Sequence, residues 1–269
     1  MLNYRSKPTT IAIGLAALML LVLPQPLKTE DFNPNYIISD ERLQDYRAMG
    51  RGEIQSFLKG KNSFLATYIT EDVNGKNRRA ADIIYQASRD HKISPKFLLV
   101  LLQKEMSIIT RQNPSDRNLD YAAGYAVCDS CSFSDPKVIK YKGFGKQVDA
   151  AAGIMRWYYD NYKAETWIRQ PLSTYSIDGT QVSPANLATG FLYTYTPHIE
   201  GNENFWKIWQ SWFDQVYPDG TLLQAIDSPD VYVISDGKRR LIKNTSTLIS
   251  RFDPKQVVQV PLTELTRYD

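Results

Sequence analysis

Apolar residues recur at spacings of three and four along most of the chain before Pro218, and this periodicity predicts amphipathic helices. The helix that contains Glu105 has the clearest start signals. Ser94 is a candidate N-cap, and Pro95 suits the first helical position. These segments predict a mainly helical block. The further predicted helices cover residues 53–58, 79–91, 146–159, 184–193 and 204–216.

The pattern changes after a turn at 218–220. Residues 231–243 alternate between apolar and polar and contain Asp236-Gly237, a dipeptide that favours a tight β-hairpin. A short helix at 245–251 and a strand at 257–260 are predicted to follow. We therefore expect a small α+β module over residues 222–269. The helical domain is placed at 80–217, with 31–79 as an N-terminal extension that packs on it.

A carboxylate interrupts the apolar stripe of the helix that begins near Ser94. Glu105 lies four residues after Leu101 and three after Leu102, so it falls on the same face. A carboxylic acid in apolar surroundings holds its proton to higher pH than in water, and it can donate that proton to a leaving oxygen. The alternative is a residue at the helix edge that reaches solvent or pairs with Lys104 or Arg111. The pattern leaves both interpretations open.

The N-terminus has the features of an export signal. Basic residues at positions 5 and 7 precede an apolar run at 11–23, which suits a signal sequence and is short for a bilayer span. No small-x-small cleavage site follows. Residues 1–30 are therefore predicted to be a signal peptide or an uncut anchor that contacts the membrane through residues 8–24. Either way, we expect the rest of the chain to be secreted or held at the outer face of the membrane or in the cell wall. A buried core helix is the alternative.

Composition narrows the possible chemistry. The 269-residue chain has 32 basic and 29 acidic residues and a net charge of +3, which gives no argument for a nucleic-acid partner. It contains two His, and it lacks a nucleotide loop, a G-x-S-x-G motif and an H-E-x-x-H motif. These features leave carboxylate chemistry, for which we expect no metal and no cofactor.

The two cysteines, Cys128 and Cys131, form a C-x-x-C pair. Because there is no second cysteine pair, a four-ligand zinc site has little support, and the βαβ context of a thioredoxin-like redox motif is missing. In an exported chain, a disulfide that pins the irregular segment 124–136 is the expected arrangement. Two free thiols are the alternative.

The order of motifs resembles that of the lysozyme-like superfamily, in particular lytic transglycosylases and goose-type lysozymes. The resemblance covers about residues 80–213. It implies a mainly α fold, with a lysozyme-like helical domain followed by the small α+β module. The chain is also similar to bacterial surface proteins labelled hemagglutinin-related or transglycosylase-like. The matching pieces are LLVLLQKEMS with Glu105, GYAV with Gly124, QVDAAAGIMRWYYD, and LATGFLYTYTPHI with Tyr193.

The resemblance also implies roles for individual residues. Glu105 takes the position of the general acid and base, and Gly124 and Tyr125 belong to the segment that binds substrate. Tyr193 and Thr194 stand where the family has a Tyr-Asn motif, so they are candidate substrate-binding residues. Tyr193 is further expected to orient Glu105 through a hydrogen bond. An aromatic core residue is the alternative for Tyr193.

Other positions depart from the family pattern. Met106 follows the acid where a Ser is usual, Val127 replaces a Gln, and Thr194 replaces the Asn of the Tyr-Asn motif. The candidate second carboxylate is Asp129, which lies in the region where goose-type enzymes hold a water-positioning Asp. A turn-stabilising Asp is the alternative for that residue.

The sequence therefore predicts an exported enzyme that acts on peptidoglycan glycan strands. As a glycosidase or lytic transglycosylase, it would cleave the β-1,4 bond between N-acetylmuramic acid and N-acetylglucosamine, with Glu105 as general acid and base. The rival prediction is a non-catalytic, glycan-binding surface protein, an adhesin on a lysozyme-like scaffold. The departures from the pattern favour this rival, and the retained Glu105 disfavours it. The pattern carries no information on an oligomeric state.

Overall fold

The computed structural model describes residues 32–127, 132–214, 217–225, 228–260, 262–265 and 268. Helix accounts for 47% and strand for 12% of the structure. The α-helices, in chain order, are α1 (Asp40–Gln44), α2 (Arg51–Gly60), α3 (Ala80–His91), α4 (Pro95–Met106), α5 (Asp116–Asp120), α6 (Pro136–Ile139), α7 (Phe144–Asn161), α8 (Leu187–Tyr195), α9 (Ile199–Phe213), α10 (Thr245–Arg251) and α11 (Leu262–Leu265).

The strands form small sheets at several places along the chain. Two antiparallel hairpins lie among the helices. Between α2 and α3, β1 (Ile69–Glu71) pairs with β2 (Asn77–Arg79), and between α7 and α8, β3 (Tyr175–Ile177) pairs with β4 (Thr180–Val182). A four-stranded sheet follows α9. Its order is β7 (Lys238–Leu241), β6 (Val231–Ser235), β5 (Leu222–Ala225) and β8 (Val258–Val260), with β5 and β8 parallel and the other neighbours antiparallel.

The expectation of a mainly α, lysozyme-like domain followed by a separate α+β module is wrong. The fold is mixed α/β, since strands occur in several small sheets and two hairpins lie among the helices. The contacts gather Phe32–Asp269 into one compact unit. The prediction failed because strands of three residues, such as β1 to β4, are too short to show an alternating pattern. The finer boundaries at residues 79 and 217 stay predictions.

The helix α4 is the centre of the main apolar core. Its predicted apolar positions are confirmed, because Phe97, Leu98, Leu101 and Leu102 are at most 1% exposed. The intervening residues 99 and 100 are equally buried, so residues 97–102 of α4 are enclosed on all sides rather than on one stripe. It packs against α9, α3 and α7. Each buried Leu or Phe side chain contributes about 2 kcal/mol, so this helix is fixed firmly in place.

The segment before α3 belongs to the same core. Phe57 of α2 is 1% exposed, and its ring lies 5.5 Å from that of Phe213 and 5.3 Å from that of Trp212 in α9. The predicted export segment, residues 1–30, lies outside the described residues. Within the part of the chain that is described, every helix is too short or too polar to cross a bilayer.

An ion pair joins α3 to α7. The Nε2 atom of His91 lies 2.8 Å from Oδ1 of Asp149, and both side chains are partly buried. This hydrogen bond to Asp149 raises the pKa of His91 above its usual value, against the opposing effect of burial, and the charges of Asp149 and Asp90 add to the increase. Protonated His91 therefore stabilises the folded state.

The free energy of unfolding is expected to fall as the pH rises above about 6.5, because the contribution of protonated His91 is complete below its unfolded pKa and is lost as the pH passes the raised folded pKa. For a partly exposed pair the loss is below about 1 kcal/mol. Urea unfolding at several pH values measures it. His91→Gln and Asp149→Asn should both flatten this part of the profile. An unchanged slope in both variants would show that the pair does not contribute.

Candidate functional site

Glu105 lies in the last turn of α4. The helix ends at Ser107, whose φ of 53° is left-handed and whose N–H donates to the carbonyl of Gln103 at 2.8 Å. The negative end of the helix dipole lies here, and it disfavours a carboxylate. The helix dipole therefore gives no reason for an acid at this position, so its partners in the fold have to account for it.

Lys104 is the direct partner of Glu105. Its Nζ atom donates to Oε1 of Glu105 at 2.6 Å and to Oγ1 of Thr196 at 2.6 Å. The lysine side chain is 8% exposed and the glutamate side chain is 22% exposed. The surroundings of Glu105 are therefore not simply apolar, and the ion pair with Lys104, the alternative raised by the sequence, is present. Arg111 instead donates to the carbonyl of Met106.

Gly124 lies directly against the carboxylate. Its φ is +67°, and a Cβ atom at this position would lie only 2.9 Å from Oε2 of Glu105. The absence of a side chain thus serves two needs, a left-handed backbone and a close approach to the acid. Two of the residues that the sequence singled out, Glu105 and Gly124, are brought into contact by the fold.

Gly124→Ala is expected to destabilise the protein more than Gly237→Ala does. Both glycines have φ +67°, so alanine meets about the same backbone strain of 1–2 kcal/mol at each. Gly237 has open space where its Cβ would lie, whereas Gly124 would force the Glu105 carboxylate to move. Because Lys104 holds that carboxylate, its displacement adds about 1 kcal/mol. Chemical denaturation of the two variants measures the difference, and equal losses would show that the contact is not tight.

Tyr125 is held in place by a buried amide. Gln147 of α7 is 0% exposed; its Nε2 donates to the carbonyls of Tyr125 at 3.1 Å and Tyr141 at 2.9 Å, and its Oε1 accepts from the Tyr125 N–H at 3.0 Å. The two tyrosine rings meet edge to face, with centroids 4.8 Å apart. Both rings line a groove of about 480 Å³ that Asp149, Trp157 and Trp167 also line. The loop that contacts Glu105 therefore continues into an aromatic groove.

Tyr193 and Thr194 lie elsewhere in the structure than the motif order implied. Tyr193 is 0% exposed in the apolar core, and burial, followed by the charge of Asp178, raises the pKa of its phenol to about 12. Its carbonyl accepts from the guanidinium of Arg169. The Thr194 hydroxyl accepts from the Arg169 N–H at 2.9 Å and donates to the carbonyl of Gly190. Both residues thus anchor α8 to the segment around Arg169.

The tyrosine beside the acid is Tyr195. Its hydroxyl donates to the carbonyl of Ala123 at 2.8 Å, next to Gly124. Burial holds the pKa of this phenol well above its usual range, and the Glu105 carboxylate raises it further, followed by Tyr158 and Tyr125. Tyr195 was missed in the sequence analysis, although it belongs to the same LYTY segment as Tyr193.

The remaining candidates are Asp129 and the two cysteines. Asp129, Cys128 and Cys131 lie outside the described residues, so the second carboxylate and the disulfide stay predictions. Among the described acids near this segment, Asp120 lies 3.4 Å from the Lys142 ammonium. Within the described ranges, no three His, Cys, Asp or Glu side chains come together as metal ligands would.

Most of the chain, including the residues around Glu105, matches a known protein family. The model of the family described as LasA, N-terminal domain, matches residues 36–225, more than half of the chain and a span that includes Glu105, Gly124 and the groove. No curated protein and no solved structure matches the chain. LasA proteins are secreted and cell-wall-related, and the family is associated with a cell-wall-hydrolysing enzyme. The chain therefore belongs to the LasA N-terminal domain family, and it is a secreted, cell-wall-related protein.

Proposed function

We propose that this protein binds peptidoglycan glycan strands and cleaves the β-1,4 bond between N-acetylmuramic acid and N-acetylglucosamine, with Glu105 as general acid and base. The observation that carries the proposal is the position of Glu105. Its carboxylate is partly exposed and lies against Gly124. The next residue in the loop, Tyr125, lines the aromatic groove. The sequence resemblance to lytic transglycosylases and goose-type lysozymes around Glu105 supports the choice of bond.

Cleavage of a glycosidic bond requires a proton on the bridging oxygen, which Glu105 would donate. In substrate-assisted routes the N-acetyl group of the sugar stabilises the developing positive charge, so no carboxylate nucleophile is needed. Glu105 would then accept a proton. If this proton comes from the muramyl 6-hydroxyl, the product is a 1,6-anhydro sugar. If the proton comes from water, the product is a reducing end. The Lys104 ammonium hydrogen-bonds to the carboxylate, which is the form that acts as base.

The same ion pair favours a second candidate, a glycan-binding protein without catalysis. Lys104 is almost fully buried, and Glu105 is its counter-charge. A buried ammonium without a partner is costly, so the fold has a structural reason to keep a carboxylate here even if no reaction occurs. In this candidate the aromatic groove performs the binding and Glu105 supports the loop at Gly124.

Mass spectrometry of the material released from purified cell wall tests the proposal. Fragments that end in 1,6-anhydro or reducing muramic acid, and that Glu105→Gln does not release, would support it. Fragments with new peptide amino termini would show that the protein cleaves peptide bonds, the type of bond cleaved by the peptidase with which the LasA family is associated. Protein that sediments with the wall and releases nothing would favour the binding candidate.

A further inference from the structure

Two tryptophan rings form an exposed platform beside the site. Trp157 of α7 is 37% exposed and Trp167 is 56% exposed. Their ring centroids lie 5.8 Å apart, and the ring planes differ by 22°. Tryptophan side chains are usually largely buried. Two neighbouring tryptophans that are both accessible to solvent are therefore a candidate contact for a ligand.

The platform is held in a fixed orientation. The indole Nε1 of Trp167 donates to Oε2 of Glu165 at 2.8 Å, and the ring meets Tyr158 edge to face at 5.9 Å. Tyr158 is 5% exposed, which gives the platform a buried support. A ring that is already oriented loses little conformational entropy when a ligand packs on it.

The groove next to the platform has one acidic group among aromatic ones. Asp149 lines it together with Trp157, Trp167, Tyr125 and Tyr141, and its volume of about 480 Å³ is within the usual range of small-molecule sites. The Oδ1 atom of Asp149 is engaged by His91, which fixes the carboxylate. Its two oxygens offer more acceptor positions than that single bond uses.

A sugar ring matches this combination of groups. A pyranose has a face of C–H groups that packs on an aromatic ring, and hydroxyls around its edge that donate to a carboxylate. An acyl chain or an apolar peptide would desolvate the acceptor positions of Asp149 that His91 does not fill and would offer them no donor. A phosphate would meet its negative charge at close range. The groove therefore favours a neutral ligand with both an apolar face and hydroxyl donors.

We infer that the groove lined by Tyr125, Tyr141, Asp149, Trp157 and Trp167 is a saccharide subsite. A pyranose ring packs on the two tryptophans and donates a hydroxyl hydrogen bond to Asp149. Since Tyr125 follows Gly124, which contacts Glu105, the subsite holds the glycan strand at a ring away from the bond at Glu105. The inference rests on the proposed glycan substrate and specifies where that substrate is held.

Calorimetric binding of a β-1,4-linked N-acetylglucosamine oligomer tests the subsite. The full chain is used with Glu105→Gln, so that turnover does not consume the ligand. Adding Trp167→Ala should weaken binding about tenfold, a change typical of the loss of one stacking contact. Trp167→Phe keeps an aromatic face but loses the bond to Glu165, so it should stay within about threefold. Tyr36→Ala removes a ring that is 45% exposed and lies outside the groove, and it should change nothing.

The outcomes separate the subsite from the proposed reaction. Unchanged affinity in Trp167→Ala, no binding of the oligomer to the Glu105→Gln protein, or tighter binding of a nucleoside would each overturn the subsite, whether or not the wild-type protein cleaves the wall. If Trp167→Ala weakens binding but the wild-type protein releases no fragments, the subsite stands and the cleavage proposal fails. Thermal unfolding of each variant confirms that the proteins compared are folded.

Discussion

Glu105→Gln is expected to lower the rate of wall-glycan cleavage by about a hundredfold or more, which is the usual contribution of general acid–base catalysis. Glutamine keeps the shape of the side chain but can neither donate nor recover a proton. The contact with Gly124 and the aromatic groove should be preserved, so binding to insoluble peptidoglycan should persist. The loss should therefore appear in turnover and not in the amount of protein bound to the wall.

The structure also sets the expected cost in stability. Glu105 is the counter-charge of the nearly buried Lys104, so glutamine removes the ion pair and leaves the Lys104 ammonium with a neutral acceptor. The expected loss is about 1 kcal/mol, between the values for an exposed and a fully buried ion pair. Thermal unfolding should accompany the assay, and the assay temperature should lie well below the midpoint of both proteins.

A matched control is available in α9. Glu203 pairs with Lys207 at 2.6 Å, the same distance as the Lys104–Glu105 pair, and its side chain is 35% exposed. Glu203→Gln also removes a lysine-paired carboxylate, but it should leave cleavage unchanged. Full cleavage by a folded Glu105→Gln protein would show that the carboxylate of Glu105 is structural and that another group supplies the proton.

Much of the fold could be predicted from helical periodicity and one turn signal. The predicted helix at 245–251 coincides with α10, and the other predicted helices overlap α2, α3, α4, α7, α8 and α9. The predicted hairpin is confirmed as β6–β7, because Asp236 and Gly237 both have the positive φ that a tight turn of this type requires. These elements were predictable because a long periodic pattern or a turn dipeptide lies entirely within one segment.

The short hairpins that make the fold mixed α/β carry turn dipeptides of the same kind. Asn74-Gly75 lies between β1 and β2, and Asp178-Gly179 lies between β3 and β4. Asp178 and Gly179 have φ values of 47° and 81°, much like the residues of the predicted hairpin. The flanking strands have only three residues each, so their alternation was not detectable. The turn dipeptides alone were the available evidence for additional sheets.

The chemistry around Glu105 was predictable only in part. Its place near a glycine followed from the motif order, and pairing with Lys104 was one of two alternatives. The second bond of Lys104, to Thr196, joins residues that are 92 positions apart in the chain. Tyr193 and Tyr195 are two residues apart on α8, so their side chains point about 200° apart around the helix. Motif order does not tell which of them faces the acid. Only the packing of α8 decides that Tyr195 does.

Gln147→Leu is expected to reduce the free energy of unfolding by about 3 kcal/mol or more. The amide of Gln147 satisfies the N–H and carbonyl of Tyr125 and the carbonyl of Tyr141 in a position with no solvent exposure. Leucine has nearly the same volume, so little cavity forms, but three backbone groups lose their partner. Each such buried group costs about 1–3 kcal/mol unless the loop moves to reach water.

Urea unfolding measures this loss, and Gln86→Leu is the matched control. Gln86 is exposed on α3 and donates to Asp90, so its replacement should change stability by less than about 0.5 kcal/mol. If the Tyr125 loop moves to satisfy its backbone, the stability loss becomes smaller but the oligosaccharide affinity of the groove falls, because Tyr125 and Tyr141 line it. A Gln147→Leu protein with unchanged stability and unchanged affinity would show that this amide positions neither the loop nor the groove. Either expected loss would show that the loop following Gly124 depends on α7 for its position.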